Sequence, residues 1–148
     1  MLTFATAAPE HADVLADIRV AAMKESLMRL DRFDEQRARD RFLNRFVPEA
    51  TRFIEWQGER VGFVVVLPEP ERIVLDHLYV LPEFQNHRIG SAVLQSVLSV
   101  ADAQGLPVHV MALKESRSNG FYQRHGFTLQ RETEWDCHYE RLPGRNPA

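Results

Sequence analysis

After a short strand-like start, the apolar residues Val14, Leu15, Ile18, Ala21 and Ala22 recur three and four positions apart, which places them on one stripe of a helix continuing toward Leu30. Pro9 and Glu10 suit its first turn. Asp34 then offers a cap for a second helix, in which Ala38, Phe42, Leu43 and Phe46 form the apolar stripe, Arg37, Arg39, Arg41 and Arg45 point elsewhere, and Pro48 is the expected stop. Beyond it the period shortens. Residues 51–57 are β-branched and aromatic, Gly58-Glu59 supplies turn chemistry and residues 61–67 are apolar, a pattern that predicts a β-hairpin. Residues 73–81 predict a third long strand, bounded by Pro82, and residues 83–90 a polar loop. Helical spacing returns at Val93, Leu94, Val97, Leu98 and Ala101 and ends at Gly105. Residues 107–113 then read as an apolar strand. Ser116 or Ser118 can cap a short helix ending at Gly126, and residues 127–131 and 135–141 predict a final antiparallel pair.

Mixed strands and helices, with a βαβ unit over residues 73–113 that needs a right-handed parallel crossover, predict an α+β or α/β fold. The 148 residues and 45% hydrophobic content suit one core, so a single domain over residues 1–142 is expected, followed by a loose tail at 143–148. Eighteen Lys and Arg against twenty-one Asp and Glu give a net charge of -3, which argues against nucleic acid or an anionic membrane as partner. The single cysteine, Cys137, excludes an internal disulfide framework and a Cys-rich zinc motif, and fits a reducing cytoplasm. Residues 1–9 lack a basic leader, and the longest apolar run, 61–67, is too short to span a bilayer.

Chemistry concentrates first between residues 78 and 94, where a strand feeds through a polar turn into an amphipathic helix. Backbone N–H groups at a helix start, together with the positive end of the dipole, favour a phosphate. Gly90 lets a ligand approach the backbone, and His87 and Arg88 add charge. The residues therefore predict an anion site, suited to a pyrophosphate. The segment resembles the GCN5-related N-acetyltransferase (GNAT) family, in which a strand ending at a Val-x-Pro-like corner precedes Arg/Gln-x-x-Gly-x-Gly/Ala and a helix. Gln85-x-x-Arg88-x-Gly90 matches two of the three key positions, with Arg88 at the first glycine. A helical conformation at Arg88 would dispense with glycine, and the guanidinium would then embrace a phosphate. The resemblance implies that Gln85, Asn86, His87, Arg88, Ile89, Gly90 and Ser91 bind acetyl coenzyme A, the amides of residues 86–91 holding its pyrophosphate. It also implies that the backbone of Leu78, Tyr79 and Val80 pairs with the pantetheine arm, which requires an open strand edge.

A second signature of the same family, Phe-Tyr-x-x-x-Gly-Phe on a short helix, is resembled by Phe121-Tyr122-Gln123-Arg124-His125-Gly126-Phe127. Gly126 suits a left-handed cap and Phe121 a core contact. Tyr122 carries the chemistry that the family implies, protonation of the thiolate expelled when an amine attacks a thioester. Where many members carry a cofactor-binding Asn, this chain has Glu115 or Ser116, and Ser116 is taken as the candidate; Asn119 lies nearer the tyrosine. The two signatures span residues 73–127. They imply a GNAT-like mixed, mostly antiparallel central sheet with a parallel βαβ core and flanking helices.

The implied activity is an N-acetyltransferase joining acetyl-CoA and an amine-bearing acceptor by direct attack, with no metal. A homodimer is left open. Asp76, His77, Glu83 and His109 are candidates for the base, each more readily a satisfied polar residue, and a backbone N–H among residues 78–80 would meet the oxyanion. Glu25, Arg29, Asp31 and Arg41 could read a polar acceptor, and Phe33, Trp56 and Trp135 could wall it. His77, His109 and His138 lack paired ligand spacing, so a metal site is not expected. Cys137 and His138 point to opposite faces of a strand, so Cys137 reads as a buried thiol and not half of a dyad. A non-catalytic acyl-CoA-binding regulatory module is the alternative reading.

Overall fold

A computed structural model describes residues 1–144. The elements follow the order β1 (Leu2–Thr6), α1 (Ala12–Arg29), α2 (Glu35–Leu43), β2 (Thr51–Trp56), β3 (Glu59–Pro68), β4 (Ile73–Val80), α3 (Ile89–Gln104), β5 (Val108–Leu113), α4 (Arg117–Arg124), β6 (Thr128–Glu132) and β7 (Asp136–Arg141). The strands hydrogen-bond in the order β1-β2-β3-β4-β5-β7-β6. β4 and β5 run parallel in this mostly antiparallel sheet, so the mixed architecture is the one expected.

By compactness the chain forms two units, residues Met1–Val65 with His77–Val93, and Val66–Asp76 with the chain from Leu94 onward. In the first, Asp34 caps α2 as predicted, its carboxylate accepting from the Arg37 amide at 3.0 Å. The helix stops at Leu43, however, well short of Pro48. The amides of Arg45 and Phe46 turn back to Phe42 and Leu43, yet the Phe46 ring still lies 5.4 Å from that of Phe42, so the predicted stripe closes through a turn. In the β2–β3 hairpin Trp56 pairs with Glu59, which makes Gln57 and Gly58 the turn residues in place of Gly58-Glu59. Their φ angles of 51° and 81° match the twist that tight hairpins prefer.

The helix α3 carries the predicted stripe inward. Val93, Leu94, Val97, Leu98 and Ala101 are all buried, and burying an aliphatic side chain of valine or leucine size contributes about 1.5–3 kcal/mol, so packing holds this helix. Gly105 ends it at φ 68°. In the second unit β7 lies between β5 and β6. Asp102 receives Arg141 through Nη1 at 2.8 Å and the Gly144 amide at 2.7 Å, and these bonds hold its carboxyl below the usual range. Residues 145–148 of the expected tail lie outside the described residues.

Candidate active site

The loop between β4 and α3 begins with a single helical turn at Pro82–Phe84, in which the amides of Phe84 and Gln85 donate to Leu81 and Pro82 at 2.9 and 3.2 Å. The ladder of α3 is entered by Ala92, whose amide donates to the Arg88 carbonyl at 3.1 Å. Between these bonds, none of the amides of Asn86, His87, Arg88, Ile89 and Gly90 donates to a carbonyl among the described residues. Five successive donors thus remain available at the start of a sixteen-residue helix.

Side chains hold this loop in shape. Gln85 Nε2 donates to the Val80 carbonyl at 3.0 Å, tying the loop to the end of β4. The His87 ring lies 5.0 Å from Trp56, which also meets Phe84 edge-on at 6.3 Å. Trp56, expected as an acceptor wall, therefore packs on the loop. Ile89 is buried and anchors the first turn of α3, while Gly90 and Ser91 follow it in the same turn.

The backbone at Arg88 corrects one expectation. Its φ is 59° and that of Asn86 is 72°, so both residues occupy the left-handed region. Arg88 does not escape the demand for glycine by being right-handed helical. It meets that demand at a cost of roughly 1–2 kcal/mol for an L-residue. Asn86 tolerates the same region better, because its short amide bonds locally.

Leu78, Tyr79 and Val80 form the end of β4. The parallel register of β4 with β5 covers Ile73 to Leu75 against Val108 to Val110, three pairs along an eight-residue strand. On the facing strand, Gly62 permits a close backbone approach: a Cβ there would stand 3.0 Å from both the Tyr79 carbonyl carbon and the Val80 Cα. Tyr79 and His77 lie two apart and share a face, where the Tyr79 hydroxyl and His77 Nδ1 are 3.1 Å apart beside Phe42 and Phe63. Arg19, which the sequence reading did not single out, donates through Nε to the same hydroxyl at 3.3 Å.

In the second unit Ser116 stands at the N-cap of α4 but makes no side-chain cap bond, contrary to its expected capping role. Instead its carbonyl accepts from Asn119 Nδ2 at 3.0 Å, and its hydroxyl lies 3.3 Å from the same nitrogen. That amide also donates to Leu113 at 2.9 Å, and its oxygen accepts from the Tyr139 hydroxyl at 2.7 Å. Asn119 thus spends its hydrogen-bonding capacity joining β5, α4 and β7. Tyr122 is buried on α4 among the rings of Phe121, Phe127 and Tyr139, with centroids 5.3, 5.4 and 6.4 Å away. Gly126, at φ 89°, turns the chain from the helix toward β6.

The other candidates fall outside these groups. His109 Nε2 and His138 Nδ1 approach to 3.4 Å, and burial, reinforced by Arg131, pushes both imidazoles below their usual pKa. Among the described residues no group of three or more His, Cys, Asp or Glu side chains could hold a metal ion. Cys137 is buried beside Glu132, and burial raises its thiol pKa. Trp135 is 44% exposed, and Lys24 sits 5.6 Å over the Phe33 ring. Among the described residues no helix is long and apolar enough to cross a membrane.

Residues 48–129 match the family model described as an acetyltransferase (GNAT) domain, more than half of the chain. A search of curated protein sequences finds no match. Among solved structures, the fold is similar to the PaiA N-acetyltransferase of Thermoplasma acidophilum in complex with coenzyme A, with a TM-score of 0.78 at 15% identity over 96% of this chain and 99% of that one. It is also similar to the ribosomal-protein-S18-alanine N-acetyltransferase of Escherichia coli, with a TM-score of 0.70 at 14% identity over 99% and 97% of the two chains. Ard1 of Thermoplasma volcanium gives 0.69 at 18% identity over 97% and 99%.

Proposed function

Because the chain belongs to the GNAT acetyltransferase family, we propose that it is an N-acetyltransferase that moves an acetyl group from acetyl-CoA to a primary amine. The observation that carries this reading is the run of amides from Asn86 to Gly90 that bond to no carbonyl of the described residues. Such donors at a helix start match the oxygens of a diphosphate, so the residues present suit the nucleotide end of coenzyme A. The guanidinium of Arg88 and the imidazole of His87 would add charge there, with Gln85, Ile89, Gly90 and Ser91 completing the loop.

Acetyl-CoA supplies the activated acetyl group as a thioester. In this reading the backbone of Leu78, Tyr79 and Val80 takes up the pantetheine arm as an added strand, a segment that lies beyond the β4–β5 register of Ile73 to Leu75. A backbone N–H in the same segment meets the charge that develops on the carbonyl oxygen. The acceptor, having lost its ammonium proton, forms the new C–N bond as the C–S bond breaks. The Tyr122 hydroxyl gives its proton to the departing sulfur, and the proton shed by the nitrogen replenishes it through solvent. Ser116 is a further candidate contact for coenzyme A.

Thiol release with acetyl-CoA and a panel of amines, alongside calorimetry with acetyl-CoA, tests the proposal. The expected result is turnover that falls roughly ten- to a thousandfold in Tyr122→Phe, with cofactor affinity nearly unchanged. Equal turnover in the variant at saturating substrates, with chemistry rate-limiting, removes Tyr122 from the role. Tight binding without release for any amine favours a non-catalytic acyl-CoA-binding module.

A further inference from the structure

Arg19 lies on the buried side of α1, between Ile18 and Val20, with 7% of its surface exposed. Its Nε donates to the Tyr79 hydroxyl, and its Nη1 donates to the Ala38 carbonyl in α2. Both acceptors are neutral. Among the described residues no carboxylate pairs with this guanidinium, although the more exposed Arg39 on α2 holds both Asp13 and Asp17. Among the described residues Nη2 has no partner. Because no fully buried side-chain nitrogen or oxygen among the described residues lacks one, Nη2 retains contact with solvent.

A guanidinium largely removed from water without a counter-ion carries a desolvation cost that two neutral acceptors do not fully offset. An arriving anion would recover that cost, and a carboxylate can accept a charge-assisted hydrogen bond from the open Nη2. The position matters as much as the charge. Arg19 is bonded to the Tyr79 side chain, whose backbone belongs to the β4 segment assigned above to the thioester. The Tyr79 hydroxyl, accepting from Arg19, also lies within hydrogen-bond distance of His77 Nδ1 at 3.1 Å. The adjacent rings of Phe42 and Phe63 lower the local dielectric, which strengthens a charged contact.

We infer that Arg19 is a specificity determinant that binds the carboxylate of a small amino-acid-type acceptor. The inference rests on the acetyltransferase reading for its chemistry, and on Arg19 alone for the class of acceptor. Only one nitrogen of a mostly buried group is open, so the anion it takes is compact.

The test compares each standard amino acid with its C-terminal amide and its decarboxylated amine, in thiol release with acetyl-CoA and in calorimetric titration of the CoA-saturated protein. The expected result is a preference for the carboxylate form of roughly ten- to a hundredfold in kcat/KM for the best acceptor, the scale of a charge-assisted hydrogen bond. In Arg19→Gln that preference collapses toward unity while acetyl-CoA affinity holds, and Arg19→Lys retains part of it. Should Arg19→Gln fail to fold, the wild-type comparison and Arg19→Lys decide the matter. Turnover without preference for the carboxylate form overturns the inference and leaves the transferase reading standing. Amino acids that bind through Arg19 but yield no product do the reverse. Absence of both binding and discrimination overturns the inference.

Discussion

Gly62→Ala probes the proposed thioester cradle from the strand opposite. Two of the atoms that the new methyl group would meet at 3.0 Å are backbone, the Tyr79 carbonyl carbon and the Val80 Cα, and the Tyr79 carbonyl oxygen lies closer still. Ordinary contact begins at about 3.4 Å, so β4 must withdraw by at least several tenths of an ångström, and further at the oxygen. No side chain can swing aside to absorb the strain. Overpacking of this kind costs about 1–3 kcal/mol, which lowers the melting temperature by roughly 2–12 °C in a chain of this size. The kinetic effect should be larger in proportion, because a misplacement of about 1 Å at a reacting centre can cost a hundredfold. Urea unfolding with thiol-release kinetics measures both. Gly58→Ala is the control: its methyl group meets nothing within 4 Å, so it should carry only the strain of φ 81° and spare kcat/KM. If Gly62→Ala unfolds at the wild-type urea concentration and turns over at the wild-type rate, the close approach of β3 and β4 is not a constraint on the site.

Two further outcomes follow from backbone and charge. Arg88→Gly should change stability little, since relief of a left-handed φ is offset by a more flexible unfolded chain; Arg88→Val should be about 1 kcal/mol or more below it, and equal melting temperatures for the two would refute the left-handed assignment. Burial lowers the pKa of His109 and His138; Arg72 and Arg131 act in the same direction at His109 and Arg131 at His138, while Glu140 opposes at His109 and Asp136 at His138. The native state therefore takes up these protons less readily than the unfolded chain. Their contribution is intact above about pH 6.5 and is lost as pH falls through that value toward the folded pKa. Urea midpoints from pH 8 to 5 should decline on the acid side, and His138→Gln should flatten the decline; a midpoint that rises on acidification has the wrong sign.

Much of the framework was legible because it is written in local periodicity. The stripe of α3, the Asp34 cap and the hairpin all follow from neighbours within a few residues, and Gly126 announces its turn by type, whereas in α1 Val14 of the expected stripe is exposed and the buried side includes Arg19 and Val20. Positions where distant segments meet were not legible. The β4–β5 register ends at Leu75 and Val110, an extent that no spacing encodes. Arg19 was passed over because a charged residue in a helix normally faces water. Its one trace was its place four residues after Leu15 on the apolar side. Asn119 stands out in the sequence only as lying near Tyr122, and its commitments become visible with Leu113 and Tyr139 brought to it. Arg88 misled in the opposite way, since an arginine gives no hint of the backbone angle imposed on it.

The threading of β7 between β5 and β6 bears on how this protein is made. A ribosome delivers β5 and β6 first, and neither can complete its ladder until residue 141 has cleared the exit tunnel. Until then both present raw hydrogen-bonding edges to the crowded cell, a state that chaperones would be expected to shield.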